Sequence, residues 1–343
     1  MMKWYTKVLL ALASLLILAV GLFWYAIQTR VSVDDFLNLE MGTTADATPF
    51  SAITAQFAGV STLLISDGET SILTDGYFSR PGALQLGFGK IAPKEEDVKW
   101  GIKRLGITTL DAILVVHSHF DHAMDAPIVA QLTGAPVYGS ESTANICRGL
   151  DLPEQQIRLL EEGQPLQIGN FRITPILSNH YEFPNARVRE TALGGNQEIT
   201  EPLVPPVEQA AYKMGGAYTF YFEHPRGNFL LQSSAGWKEN TLDSIQADIV
   251  FLGVGGLGAQ TEAYQSEYFR QIVDQVNPRT VILVHWDALT GSVQAPLQGE
   301  VWLIDKLMGK TQETFDAVER EMAKREDTFL FTLPKWEERE LFR

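Results

Sequence analysis

The sequence predicts an α/β chain in which two β-sheets pack face to face with helices outside, preceded by one apolar transmembrane helix. Three observations carry that expectation. Residues 8–27 form an uncharged run of 20 residues. From Phe50 onward, short apolar runs bounded by turn residues mark buried strands. Each β-rich half is then finished by helical spacing, the layer pattern of sheets covered on their outer faces.

The apolar run comes first. At 1.5 Å per residue, about 20 helical residues span a hydrocarbon core of roughly 30 Å. Lys3 and Lys7 precede the run, and Arg30, Asp34 and Asp35 follow it. That flank predicts an N terminus in the cytoplasm and a body outside, in a single-pass cell-membrane protein. Signal-peptide cores are shorter, about 7–15 residues, and end at small residues. This run ends in Trp24 and Tyr25, which suit an interfacial aromatic belt. Residues 1–30 are therefore expected to be an anchor, with secretion after signal-peptide cleavage as the alternative. Residues 31–49 are polar and read as a linker, leaving 50–340 as one domain.

Within the domain, VSTLLIS and TSILTD flank Asp67-Gly68, a strong hairpin signal. Residues 95–105 read as a helix stopped at Gly106, and DAILVV at 111–116 as a buried strand. A helix at 125–132 and a strand at 136–138 follow. Further strands are expected at 171–177, 218–222, 229–232, 248–252, 280–284 and 328–333, with helices at 262–276, 301–307 and 313–324. Residues 181–216 are rich in proline and glycine and lack periodicity, so they form an insert, either a lid or an irregular loop.

The charge balance narrows the function. Lys+Arg number 27 against 42 Asp+Glu, a net −15, which argues against nucleic acid because phosphate binding needs a concentrated basic face. The single cysteine, Cys147, excludes an intramolecular disulfide framework and a Cys-rich zinc knuckle. It falls in an expected helix and is assigned no role.

Histidine is scarce, with six in 343 residues, yet three fall within His117-Ser-His119-Phe-Asp121-His122 directly after DAILVV. Just past a strand, residues i and i+2 project to one side, so His117 and His119 can share an ion. Asp121 and His122 follow where the chain turns and can face a second position. Neutral imidazoles with a carboxylate suit Zn²⁺, with Mn²⁺ or Fe²⁺ possible. His180 ends RITPILSNH and His285 ends TVILVH, so both follow expected strands and join the candidate ligands. His224, in a turn before Pro225, reads as a solvated loop residue. Gly253-x-Gly255-x-x-Gly258 follows a strand as a dinucleotide loop would, but no doubly wound pattern surrounds it. It reads better as a glycine-rich turn.

From about Phe50 to Leu333 the chain resembles the metallo-β-lactamase superfamily, on Asp75 in SILTDG, the HSHFDH cluster, His180 in SNH and His285 in VHWD. HSHFDHAMDAP, TGAPVYGSEST and VILVHWD look most like the branch of ascorbate-phosphate lactonases and N-acylethanolamine phospholipase D-like enzymes. The resemblance implies an αββα sandwich. It implies that His117, His119 and His180 bind one metal, and Asp121, His122 and His285 a second. Most members carry a bridging Asp at the position this chain fills with Ser234 in LLQSSAGW. A neutral hydroxyl cannot bridge two cations, so one tight and one labile ion are expected.

The implied chemistry is metal-dependent hydrolysis of an ester, lactone or phosphodiester, since a metal lowers the pKa of bound water from 15.7 to about 7 and supplies hydroxide. Asp121 would orient that hydroxide and manage its proton. Asp75 is either a partner behind a ligand histidine or a turn residue before Gly76. Tyr181, Phe183, Trp237 and Trp286 lie beside these segments as candidate substrate contacts for a small or lipid-like molecule. Two alternatives stand: a metallo-β-lactamase acting on β-lactams, or a non-enzymatic metal-binding domain weakened at Ser234. Oligomeric state is not legible.

Overall fold

The computed structural model describes residues 4–42, 52–181, 183–184, 186, 189–190 and 197–342. Among these residues there are two seven-stranded sheets. The first contains β1 (Ile53–Gly59), β2 (Thr62–Ser66), β3 (Ser71–Thr74), β4 (Ala112–Leu114), β5 (Val137–Gly139), β6 (Ile157–Leu159) and the last strand, β14 (Glu338–Phe342), in the order β14-β1-β2-β3-β4-β5-β6. The second contains β7 (Leu166–Ile168), β8 (Phe171–Ser178), β9 (Ala217–Glu223), β10 (Phe229–Gln232), β11 (Ile249–Gly253), β12 (Thr280–Val284) and β13 (Phe329–Thr332), in sequential order. β1 to β3 and β7 to β10 pair antiparallel, whereas β3 to β6 and β10 to β13 pair parallel.

The period-2 rule explains how one chain fills both faces of the first sheet. In β2, Leu63 and Ile65 join the core shared with Phe171, Phe222 and Phe251 of the second sheet. Leu64 points the other way, to the layer holding Val98, Leu105 and Val129. Those residues come from or adjoin the helices Glu95–Arg104 and Ala126–Thr133, the crossovers that parallel pairing requires. Helices at Glu262–Phe269 and Thr311–Met322 belong to the other half, giving the four layers expected.

The hairpin forms at Asp67-Gly68 because Asp67 Oδ1 accepts the Glu69 and Thr70 N–H groups at 2.9 and 2.7 Å. That turn also corrects the reading of His224. The ring is buried, lies tilted with its centroid 4.8 Å from that of Phe171 and sits 3.3 Å from Asp67 Oδ2, because the β9–β10 turn folds across the hairpin. Several elements had no expectation, among them the short strands β6 and β7. The helix Ala83–Phe88 is short and flanked by glycine, and β14 is a polar strand at the sheet edge, so neither shows a strong apolar period.

The N-terminal helix, Trp4–Gln28, has mean hydropathy 2.5 over its best window and is exposed along almost all its length (Ile17 is 72 % exposed). A core helix would bury such residues, and here only Ala26 and Ile27 are buried. The next segment is more than a tether. Val31 N–H donates to Glu300 O at 3.0 Å, Asp34–Leu37 is a short helix, and Phe36 stacks on Trp286 at 5.0 Å. The polar composition masked Phe36, whose burial is worth about 1.5–3 kcal/mol. Residues 43–49 of the expected linker lie outside the described residues.

Candidate metal centre

Four segments meet at one edge of the sandwich. β4 leads through Val115 and Val116 to His117 and His119, and the turn Phe120–Ala123 adds Asp121 and His122. His180 lies just past β8, and His285 directly after β12. The six side chains fall into two groups, His117/His119/His180 and Asp121/His122/His285, whose ligand-type atoms lie within 4.8 Å of one another in each. The groups abut, since His117 and His122 ring centroids are 3.9 Å apart.

The environment suits a cation. His117 Nδ1 and Nε2 and His122 Nε2 are buried without a hydrogen-bond partner among the described residues. Each such atom costs about 1–3 kcal/mol unless something satisfies it. Burial, reinforced by the other rings, holds His117 well below the usual histidine range, and burial with His119 does the same for His180. Both rings are thus neutral, the form that ligates. Burial opposes ionisation of Asp121, but His122 and His285 outweigh it and keep the carboxylate charged far below its ordinary range. His285 Nε2 lies 3.2 Å and His122 Nε2 3.4 Å from Asp121 Oδ2.

Behind these groups the chain fixes their orientation. Asp75 Oδ2 lies 2.8 Å from His122 Nδ1 and accepts from Ser61 Oγ at 2.5 Å, while its Oδ1 accepts the Val116 N–H at 3.0 Å. With Nδ1–H donated to Asp75, His122 presents Nε2 to the site. His180 Nδ1–H likewise donates to the Tyr181 carbonyl at 2.7 Å, which turns its Nε2 inward. Replacing Asp75 with Asn is expected to weaken metal binding about 10–100-fold while leaving the fold intact, checked by metal titration and circular dichroism.

His285 sits at φ +58°, a conformation uncommon for a side-chain-bearing residue. Its N–H donates to the Val60 carbonyl at 2.5 Å, and Val60 is also left-handed, at φ +57°. The Val60 N–H in turn donates to Asp287 Oδ1 at 2.6 Å, and Asp287 Oδ2 pairs with the buried Arg80 guanidinium at 2.9 Å. Arg80 also donates to the Ala288 and Ala58 carbonyls. Sequence reasoning did not find Arg80, Ser61 or Val60. Asp287 in VHWD was the one visible trace of this network.

The glycine-rich turn after β11 also serves this site. A Cβ on Gly253 would collide with the Ser233 backbone, one on Gly255 with the His285 ring, and one on Gly258 with the helix at Thr314. Close packing accounts for all three glycines without a dinucleotide.

Ser234 lines the same cavity as His119, Asp121, His180 and His285, and its Oγ accepts the Tyr181 N–H at 3.2 Å. Tyr181, Phe183 and Trp286 also line the cavity, whereas Trp237 lies outside that lining and packs on Tyr264 at 4.6 Å. Of the insert, Gln209 reaches the cavity, and Ile199 and Leu203 are tied to the helix Glu141–Gly149 through Ser142 and Asn145. Residues 182, 185, 187–188 and 191–196, on which much of the lid expectation falls, lie outside the described residues.

Comparison with known proteins identifies the family and the fold. A family model described as a beta-lactamase superfamily domain matches residues 54–285. A protein from Cupriavidus necator named as a UPF0173 metal-dependent hydrolase is 27% identical over 211 residues, covering 57% of this chain and 65% of the relative. Another of that name from Myxococcus xanthus is 53% identical over 47 residues, 14% of this chain and 16% of the relative. The chain thus spans less than two thirds of the length of either relative. Among solved structures, a diiron beta-hydroxylase from Streptomyces venezuelae superposes with a TM-score of 0.51 at 11% identity, covering 87% of this chain and 55% of that one. At that identity the likeness concerns the fold alone.

Proposed function

Since this chain belongs to the metallo-β-lactamase superfamily, we propose that it is a membrane-anchored, metal-dependent hydrolase of ester, lactone or phosphodiester bonds. The observation that carries the reading is the pair of adjoining triads, with His117 buried and both its ring nitrogens without a hydrogen-bond partner among the described residues, at the end of an apolar cavity. His117, His119 and His180 would hold one ion and Asp121, His122 and His285 a second, zinc fitting the donors and manganese or iron also compatible. When bound, such ions supply Lewis acidity and lower the pKa of a water toward about 7.

The chain's own residues do the rest. The ionised Asp121 carboxylate orients the attacking water and takes its proton. Asp75 and Ser61 keep the His122 ring from rotating, and the Val60 carbonyl pins the His285 backbone. Tyr181, Phe183 and Trp286 form an apolar wall against the substrate and keep bulk water out. The Trp4–Gln28 helix fastens the body to the extracytoplasmic face of the cell membrane; its exposed apolar surface supports this.

The test is a hydrolysis panel on the full chain with a phenyl ester, an acyl lactone, bis(p-nitrophenyl) phosphate and nitrocefin, with and without added metal. Metal-dependent turnover of one of the first three is expected. Turnover of nitrocefin alone would replace this reading with a β-lactamase, and no turnover with any would leave a binding domain. Because Ser234 offers no charge to bridge two cations, Ser234→Asp is expected to tighten the second ion about tenfold or more while the first stays tight, read by metal titration. Two equally tight ions in the parent would contradict this.

A further inference from the structure

The cavity that ends at His119, Asp121, His180 and His285 has a volume of about 300 Å³, and its other end is built in part from the N-terminal helix. Phe23 and Ile27 of that helix share the lining with Leu84 and Phe88 of the helix Ala83–Phe88 and with Leu303 and Leu307. Several of these are large and exposed: Phe88 is 84 % and Leu307 62 % exposed. Exposed aromatic and leucine side chains clustered around a cavity mouth mark an interaction surface rather than ordinary scatter.

The depth of that mouth can be read from the helix. Phe23 precedes the helix end at Gln28 by five residues, about 7.5 Å at 1.5 Å per residue. Interfacial apolar faces sit roughly 5–10 Å into the headgroup and acyl boundary. Trp24 and Tyr25, both exposed, occupy that same turn as interfacial anchors. Hydrogen bonds tie the body to the end of this helix. Arg30 donates to the Gly299 and Thr290 carbonyls at 2.9 and 3.1 Å, and Trp302 N–H donates to Thr29 O at 2.7 Å. The segment carrying Leu303 and Leu307 is thereby held against the end of the anchor.

The geometry points to a membrane-seated collar: Leu84, Phe88 and Leu307 insert into the outer leaflet beside the anchor, and an acyl-chain amphiphile passes from that leaflet through the cavity to the metal centre. The occupant of the collar is lipid rather than a protein partner, because the anchor that lines the mouth is itself in the bilayer. The substrate class rests on the hydrolase reading above, and the collar rests on the anchor reading given with it but not on the chemistry. With a net charge of −15 the body gains nothing from anionic lipid, so seating is apolar and insensitive to salt.

The experiment uses the full chain in phosphatidylcholine nanodiscs, with Phe88→Cys, Leu307→Cys and Glu326→Cys each carrying an environment-sensitive fluorophore. Cys147 is buried and stays unlabelled. Glu326 precedes β13, which runs parallel to β12, so it lies at the sheet edge opposite His285. Nitroxide-bearing lipid should quench labels at 88 and 307 strongly and the label at 326 weakly, equally at low and high salt. Quenching at 88 and 307 no stronger than at 326 overturns the collar, and the mouth would then be a site for a protein partner.

The second arm compares dodecanoyl with acetyl esters. Even two further buried methylenes give a preference of about tenfold for the long chain. Leu307→Asp, and separately Leu84→Asp, should bring the ratio toward one. Equal turnover of both esters overturns the amphiphile. Strong quenching with no hydrolysis of any substrate sinks the hydrolase reading and leaves the collar standing.

Discussion

Asp121→Asn is expected to lower kcat/KM by about 10²–10⁴, the range for loss of a positioned acid–base group. The substitution keeps shape and removes charge. In the parent, Asp121 is the carboxylate that the two described ligand groups contain beside five imidazoles, 3.2 Å from His285 Nε2 and 3.4 Å from His122 Nε2. An amide can neither take a proton nor offset a cation there. Metal content separates the two contributions. The ion at His117, His119 and His180 should remain, while the ion at the Asp121 group is lost. An Asn variant with parental kcat/KM would remove Asp121 from the mechanism altogether.

The second large effect concerns stability. Arg80→Met is expected to destabilise the fold by about 3–5 kcal/mol, because it leaves Asp287 buried and unpaired. Arg80 and Asp287 are almost wholly buried, and their contact joins residues 207 apart in sequence. The damage should not stop at stability. Asp287 holds Val60, and the Val60 carbonyl holds the His285 N–H, so the second metal site loosens as well. Chemical denaturation measures the first effect and metal titration the second. Arg80→Met combined with Asp287→Leu should recover part of the stability but not the metal affinity, since the Val60 N–H still lacks its acceptor. Full recovery of both would mean that the pair does not position His285.

These two residues mark the boundary of what the sequence reveals. His117 to His122 were legible because scarce histidines fell at strand-end spacing within six residues, a local pattern. His180 and His285 were legible because each ends an apolar run that could only be a strand. Asp75 was half legible: its place before a glycine at a strand end fits both a turn and a histidine partner, and only the packing of β3 beside β4 brings it to His122. Arg80 was invisible, because SRPG carries no periodic signal and its partner lies in a loop that follows a strand of the other sheet. The same holds for His224, whose burial depends on Asp67 far away in sequence. Contacts made by topology rather than by local spacing are the ones a single sequence hides. The apolar helix was plain from composition, but its share in the cavity wall was not, since Phe23 and Leu307 come to line one cavity through links between distant residues, such as Arg30 to Gly299 and Trp302 to Thr29.

The most direct measurement is a zinc titration by calorimetry into the chelator-stripped full chain and into its His117→Ala variant. Two events are expected in the parent, one tight and one weaker, with hydrolysis returning as sites fill. The tight event should vanish in His117→Ala. A stripped parent that binds no zinc, or a variant whose isotherm matches the parent, would contradict the assignment of His117, His119 and His180 as a metal site.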